Sequence, residues 1–307
     1  MAEGERRRPQ VGVALGGGGA RGYAHIGVLQ VLQKRKIPID IVVGTSMGAI
    51  IGGAYAVGLD LKLLRKVLAE LDLNALLHIP RSTFQEVSTV AGRIASEMLF
   101  KNTNWRQVEG EDAKRLLQFF GLFSRGRAFE DLEVKFAVIA ADIDTGEEVV
   151  IQEGPLAPAI AASATVPGIH QPFKHGGRFL VDGGIVNKIP ADVALRLGAE
   201  VVIAVDVSAP LSREVTTSID VLTQAEAITA RELVRTKLEL TKRELGDRLV
   251  VLRPHMEEIT MLALDQVEAA ARAGEEEALR KLPEIEVALA RAGLTLPDPD
   301  PDLHPQP

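Results

Sequence analysis

Cysteine is absent from the 307-residue chain, which excludes a disulfide framework, a thiolate metal site and a cysteine nucleophile. An excess of positive charge is absent too. The formal net charge is −7, and nucleic-acid binders usually carry a basic face, so no nucleic-acid partner is expected. The basic cluster Arg6-Arg7-Arg8 is short. It reads as part of a solvated leader, with a weak contact to anionic lipid headgroups as the alternative. No secretory signal peptide is visible, because the apolar run Val11 to Leu15 is short and opens into glycines. A long membrane-spanning run is lacking as well. Ile41 to Leu59 is uncharged for 19 residues, with Gly44, Gly48 and Gly52 at the spacing of a transmembrane helix pair. That stretch also holds five glycines, is bounded by Asp40 and Asp60, and has no aromatic belt. A helix packed tightly on a sheet accounts for the same small residues. The expectation is therefore no transmembrane segment and a cytoplasmic protein, at most peripheral to a membrane.

What is present is a large apolar fraction, 46%, enough for a substantial core. Short β-branched runs alternate with helical patterns. Val11 to Leu15 reads as a strand, followed by a glycine loop and a helix from Tyr23 to Lys36. Ile41 to Val43 is the next strand, followed by Gly44-Thr45-Ser46-Met47-Gly48 and an apolar helix. This is the pattern of a parallel sheet covered on both faces. Val134 to Asp142 and Glu147 to Gln152 read as a hairpin across Asp144-Thr145-Gly146. Phe179 to Val181, Val201 to Val207 and Leu249 to Leu252 complete the strands, with helices expected over 217–246 and 260–292. The fold class is α/β, a three-layer α/β/α sandwich with a mostly parallel central sheet. Residues 1–9 are a leader, 10–295 one domain, and 296–307 a disordered Pro/Asp tail. Within the domain, 72–130 holds six of the nine phenylalanines and the only tryptophan, and reads as a helical lid or insert.

Three constellations carry the chemistry. The first is Gly17-Gly18-Gly19-Ala20-Arg21-Gly22. A dinucleotide site would need an acidic residue at the end of the second strand, and Asp40 lies at its start. A P-loop would need Gly-Lys-Ser/Thr, which is missing. Backbone amides from consecutive glycines fit an oxyanion hole better, at Gly17, Gly18 and Gly19. Arg21 is then either a reader of a substrate anion or a brace for the loop. The second is Gly44-x-Ser46-x-Gly48, where a serine at a sharp strand-to-helix turn is pushed out of the sheet and the glycines leave room around it. The third is Asp182-Gly183-Gly184, a carboxylate at the end of a strand. His255 also follows in the chain order of a triad, and His25, His170 and His175 are further histidines.

Taken together and in this order, the three motifs resemble the patatin-like phospholipase family, and Ala162-Ser163-Ala164-Thr165-Val166-Pro167 resembles its block before the aspartate. The resemblance covers roughly residues 10–210. It implies a patatin-like fold and a Ser–Asp dyad, with Ser46 as nucleophile, Asp182 as general base and the glycine amides as oxyanion hole. Arg21, Gly22, Gly44, Gly48, Gly183 and Gly184 are the remaining motif positions and candidates for contact with substrate. The implied activity is hydrolysis of lipid carboxylic esters at Ser46 through an acyl-enzyme, with no cofactor and no metal. The alternative is a non-catalytic lipid- or protein-binding module on the same fold. The implied partner is a lipid ester, taken up at a membrane surface in one version of the reading, and the sequence leaves a homo-oligomer open.

Overall fold

The computed structural model describes residues 8–71, 111–167 and 169–297. Five strands form the parallel body of the sheet: β1 (Val11–Leu15), β2 (Ile41–Thr45), β3 (Lys135–Asp142), β7 (Val201–Val205) and β8 (Leu249–Leu252). Their order is β3-β2-β1-β7-β8. Three strands pair antiparallel at the β3 side: β4 (Glu148–Ile151), β5 (Phe173–His175) and β6 (Arg178–Asp182). The expected strands are all present. β5 was not expected. It is only three residues long and pairs with β6 across Gly176 and Gly177, both at positive φ.

The side chains of the central strands alternate between two cores, as a strand period of two requires. Val11, Val13, Leu15, Val42, Phe136, Val138 and Ile203 belong to one core. Ala14, Ile41, Val43, Ala137, Ile139 and Val202 belong to the other. On the first face pack α1 (Ala24–Lys34), α2 (Met47–Ala56), α3 (Leu61–Glu70), α4 (Glu111–Phe123), α5 (Leu156–Ser163) and α8 (Val267–Arg291). On the second pack α6 (Ala191–Arg196) and α7 (Ser218–Leu245). The result is helices on both sides of a mostly parallel sheet. α2 is buried on nearly every side, which explains its uncharged, glycine-rich sequence without a membrane. Among the described residues no helix is long and apolar enough to cross one.

Several expectations change in detail. The helix expected from 260 starts at Val267, because residues 256–264 are spent as a loop whose carbonyls accept hydrogen bonds from the glycine loop and its flank. Arg8, placed in the leader, forms a two-pronged pair with Asp40 at 2.6 and 2.7 Å. Of the expected insert over 72–130, the described part begins at α4, where Leu116, Phe119, Phe120 and Phe123 are buried, and 72–110 lie outside the described residues. So do most of the leader and of the tail.

Candidate active site

The site arises from how β3 shares one edge between two strands. Opposite β4, Val138 and Ile139 pair with Gly44 and Thr45 of β2. One residue further along the same edge, Ala140 pairs with Asp182 of β6, which arrives from the other direction. The two strands therefore meet end to end. The chain leaves β2 at Ser46 and enters the next turn at Asp182, so the two side chains face the same spot although 136 positions separate them in sequence. The Ser46 hydroxyl is close enough to Asp182 to favour its charged carboxylate, and both side chains line one cavity.

Ser46 adopts φ 55°, ψ −123°, a strained conformation for a residue with a Cβ, costing on the order of 1–3 kcal/mol. Its surroundings hold it there. The Ser46 N–H donates to Ser163 Oγ at 2.8 Å, and that hydroxyl donates to the Ile139 carbonyl at 2.6 Å. Thr45 donates its hydroxyl to the Asn187 carbonyl at 2.9 Å. A Cβ at Gly44 would collide with the first turn of α2, and one at Gly48 with the Leu15 carbonyl. The motif glycines are thus needed for a backbone crossing β1 at close range. Gly22 is pressed against Met47 in the same way, and Gly183 against the Ile139 carbonyl.

Asp182 is buried. Its Oδ1 accepts the Gly184 N–H at 2.8 Å, and its own N–H donates to the Thr165 carbonyl at 2.8 Å. Burial pushes its pKa above the usual carboxylate value, against the opposing pull of the Ser46 hydroxyl, the Gly184 N–H and the nearby Lys188 charge.

The glycine loop lies across from the pair. A Cβ at Gly17 would sit 3.2 Å from that of Ser46. The Gly17 N–H is nevertheless not free, because it donates to the Lys188 carbonyl at 2.9 Å. Of the three amides expected to form an anion pocket, Gly17 therefore drops out. The Gly18 and Gly19 N–H groups have no acceptor among the described residues. Of the two roles open to Arg21, its contacts fit the brace. It is 4% exposed and donates to the carbonyls of Val207 (2.9 Å), Ile259 (3.0 Å), Ser208 (3.1 Å) and Met256. It braces the loop and is not among the residues that line the cavity at Ser46. His25 is fully buried, 2.8 Å from the Gly16 carbonyl, with its pKa pushed down to about 4 by desolvation. It is a neutral brace. His255 is exposed and does not line the cavity; His170 does.

Ser46 and Asp182 open into a cavity of about 250 Å³ with a largely apolar lining that includes Met47, Ile50, Phe120, Val166, Leu233 and Leu264. A larger apolar groove of about 680 Å³ between α3 and α4 contains neither residue. The sequence motifs miss Lys188, which lines the same cavity as Ser46 and Asp182. Its one signal is that no other cation occurs between Arg178 and Arg196. Among the described residues no group of three His, Asp or Glu side chains converges as a metal-ligand set.

A serine on a strained strand-to-helix corner beside a buried carboxylate at the sheet edge is the geometry of an elbow in an α/β protein. Residues 13–195 match the family described as Patatin-like phospholipase, and the chain belongs to that family. A patatin-like phospholipase domain-containing protein of Caenorhabditis elegans is 37% identical over 208 residues, 64% of this chain and 13% of that protein. An uncharacterized NTE family protein of Mycobacterium tuberculosis is 30% identical over 287 residues, 86% of this chain and 45% of that protein. Lysophospholipase NTE1 of Mycosarcoma maydis is 34% identical over 203 residues, 64% of this chain and 10% of that protein. The chain thus spans less than half the length of each of these relatives.

Proposed function

We propose that the protein is a serine lipid acyl hydrolase that cleaves carboxylic esters of lipids through an acyl-enzyme on Ser46. The observation that carries this reading is the buried pair of Ser46 and Asp182, side by side at the wall of a largely apolar cavity. Asp182 takes the Ser46 proton as Oγ attacks the ester carbonyl. The carbonyl oxygen gains a negative charge, and the Gly18 and Gly19 amides are the donors for it, with the N-terminus of α2 adding a favourable dipole. Collapse of the tetrahedral adduct breaks the bond to the leaving alcohol, which receives the proton from Asp182. Water then repeats the sequence: Asp182 accepts its proton, the hydroxide attacks the acyl carbon, and Ser46 leaves with the proton restored. The apolar lining suits an acyl chain, and the lysophospholipase name of the fungal relative agrees with a lipid ester.

A fluorophosphonate probe tests the reading directly. It should label the wild type at Ser46, and Ser46→Ala should lose both the label and hydrolysis of a nitrophenyl acyl ester while keeping its melting temperature. Asp182→Asn should fall by at least about a hundredfold. An unlabelled wild type would point to a binding module instead, and an active Asp182→Asn beside a dead His255→Ala would replace the dyad by a triad.

A further inference from the structure

Lys188 shares the cavity wall with Ser46 and Asp182 and is the sole lysine or arginine among the described residues there. Its backbone is fixed from two sides. Its carbonyl accepts the Gly17 N–H, and the preceding Asn187 is buried, donating to Glu148 at 2.7 Å and Asp192 at 2.8 Å. The Lys188 side chain is partly buried. Among the described residues its ammonium makes no hydrogen bond or close ion pair. Asp182 and Glu226 line the same cavity; they and Asp206 act on it as charges without a hydrogen bond, and they oppose the lowering of its pKa by desolvation.

A cation in an apolar pocket without a close partner is costly unless something else supplies one. Arg21 does not share the task, since four of its five N–H donors go to backbone carbonyls and it does not line the cavity. An ester bound with its acyl chain along the apolar lining has its leaving alcohol at the polar end of the cavity. In a glycerol-based ester a phosphate on that alcohol lies only a few bonds from the scissile carbonyl, within reach of a lysine on the same wall.

Building on the hydrolase reading above, we infer that Lys188 is a specificity-determining residue that binds the phosphate of the lipid ester, so that the site selects phosphate-bearing esters over neutral acylglycerols. The test compares a lysophosphatidylcholine and a monoacylglycerol of the same acyl chain in one detergent. The ratio of their kcat/KM values is measured for the wild type, Lys188→Met and Lys188→Arg. Loss of a charge-assisted hydrogen bond should lower the ratio roughly tenfold in Lys188→Met, and Lys188→Arg should keep most of it. An unchanged ratio in Lys188→Met overturns the inference. So does an equal fall on both substrates with a shifted pH profile, which would make Lys188 a tuner of Asp182. A second arm does not need turnover: non-hydrolysable ether analogues of the two lipids are titrated calorimetrically into Ser46→Ala with and without Lys188→Met. The phosphate-bearing analogue should lose its advantage on the double variant, and equal affinities before that change also refute the inference. A wild type that fails to hydrolyse either ester but shows this binding preference refutes the hydrolase reading alone.

Discussion

Asp182 has to satisfy two opposing conditions. To take a proton from Ser46 in the proposed mechanism it must be ionised, yet burial favours its neutral form and raises its pKa. A raised pKa makes the carboxylate a stronger base than one near the ordinary value of about 3.9. If Asp182 is the base, activity should fall as pH drops through that raised pKa. The acid limb of kcat/KM on a neutral ester should therefore lie above the usual carboxylate range. The same shift fixes a stability effect. A carboxylate whose folded pKa exceeds its unfolded one costs stability once ionised, and the cost vanishes below about pH 4, where both states are protonated. Asp182→Asn should accordingly melt higher than the wild type at pH 7, and the gain should disappear at low pH. An acid limb at or below pH 4, or a lower melting temperature for Asp182→Asn at pH 7, would contradict this electrostatic account. Ser46 and Asp182 were legible in the sequence because glycines beside a polar residue mark a backbone under close approach. Arg21 was not, since the four carbonyls it serves come from residues 207 to 259, which nothing in a glycine-rich motif announces. Lys188 was hidden for a related reason: its importance comes from its lining a cavity built by distant segments.

Between elements, the most intimate contact lies away from the motifs. α1 and α8 cross with their backbones nearly touching. A Cβ at Gly27 would strike the Ala271 carbonyl, and one at Gly274 would strike the Ala24 carbonyl. The two glycines form a reciprocal pair, and neither side can yield by turning a side chain. Gly274→Ala should therefore destabilise the protein by roughly 1–3 kcal/mol or more, despite the better helix propensity of alanine. Chemical denaturation measures this, and a neutral or stabilising result would show that the helices can slide apart. Strands and helices themselves were legible because their apolar periods differ. The pairing of helices was not, because a glycine inside a helical pattern signals only weakness until its neighbour is known. β5 escaped for a simpler reason, as three residues are too few to show a period.

Across the whole molecule, the part that matches the family ends at residue 195, yet the glycine loop is held by residues beyond that point. Gly16 donates to Val205 of β7, and Ala20 donates to Met261. Arg21 ties the loop to residues 207, 208, 256 and 259 at once. The C-terminal third thus positions the loop that faces Ser46, and Arg21 is the joint between them. The two roles the sequence allowed for that arginine now lead to opposite outcomes. Arg21→Lys keeps the charge but loses the planar fork, and an ammonium has only three donors on one point. Carbonyls left unpaired inside the protein should cost about 2 kcal/mol or more. The loop should also lose its fixed position, so kcat should fall on every ester, charged or neutral. A role in reading a substrate anion predicts the reverse: unchanged melting and a loss confined to charged esters. Thermal melts together with kcat on the lysophospholipid and monoacylglycerol pair separate the two, and an Arg21→Lys protein that melts like the wild type would refute the bracing role.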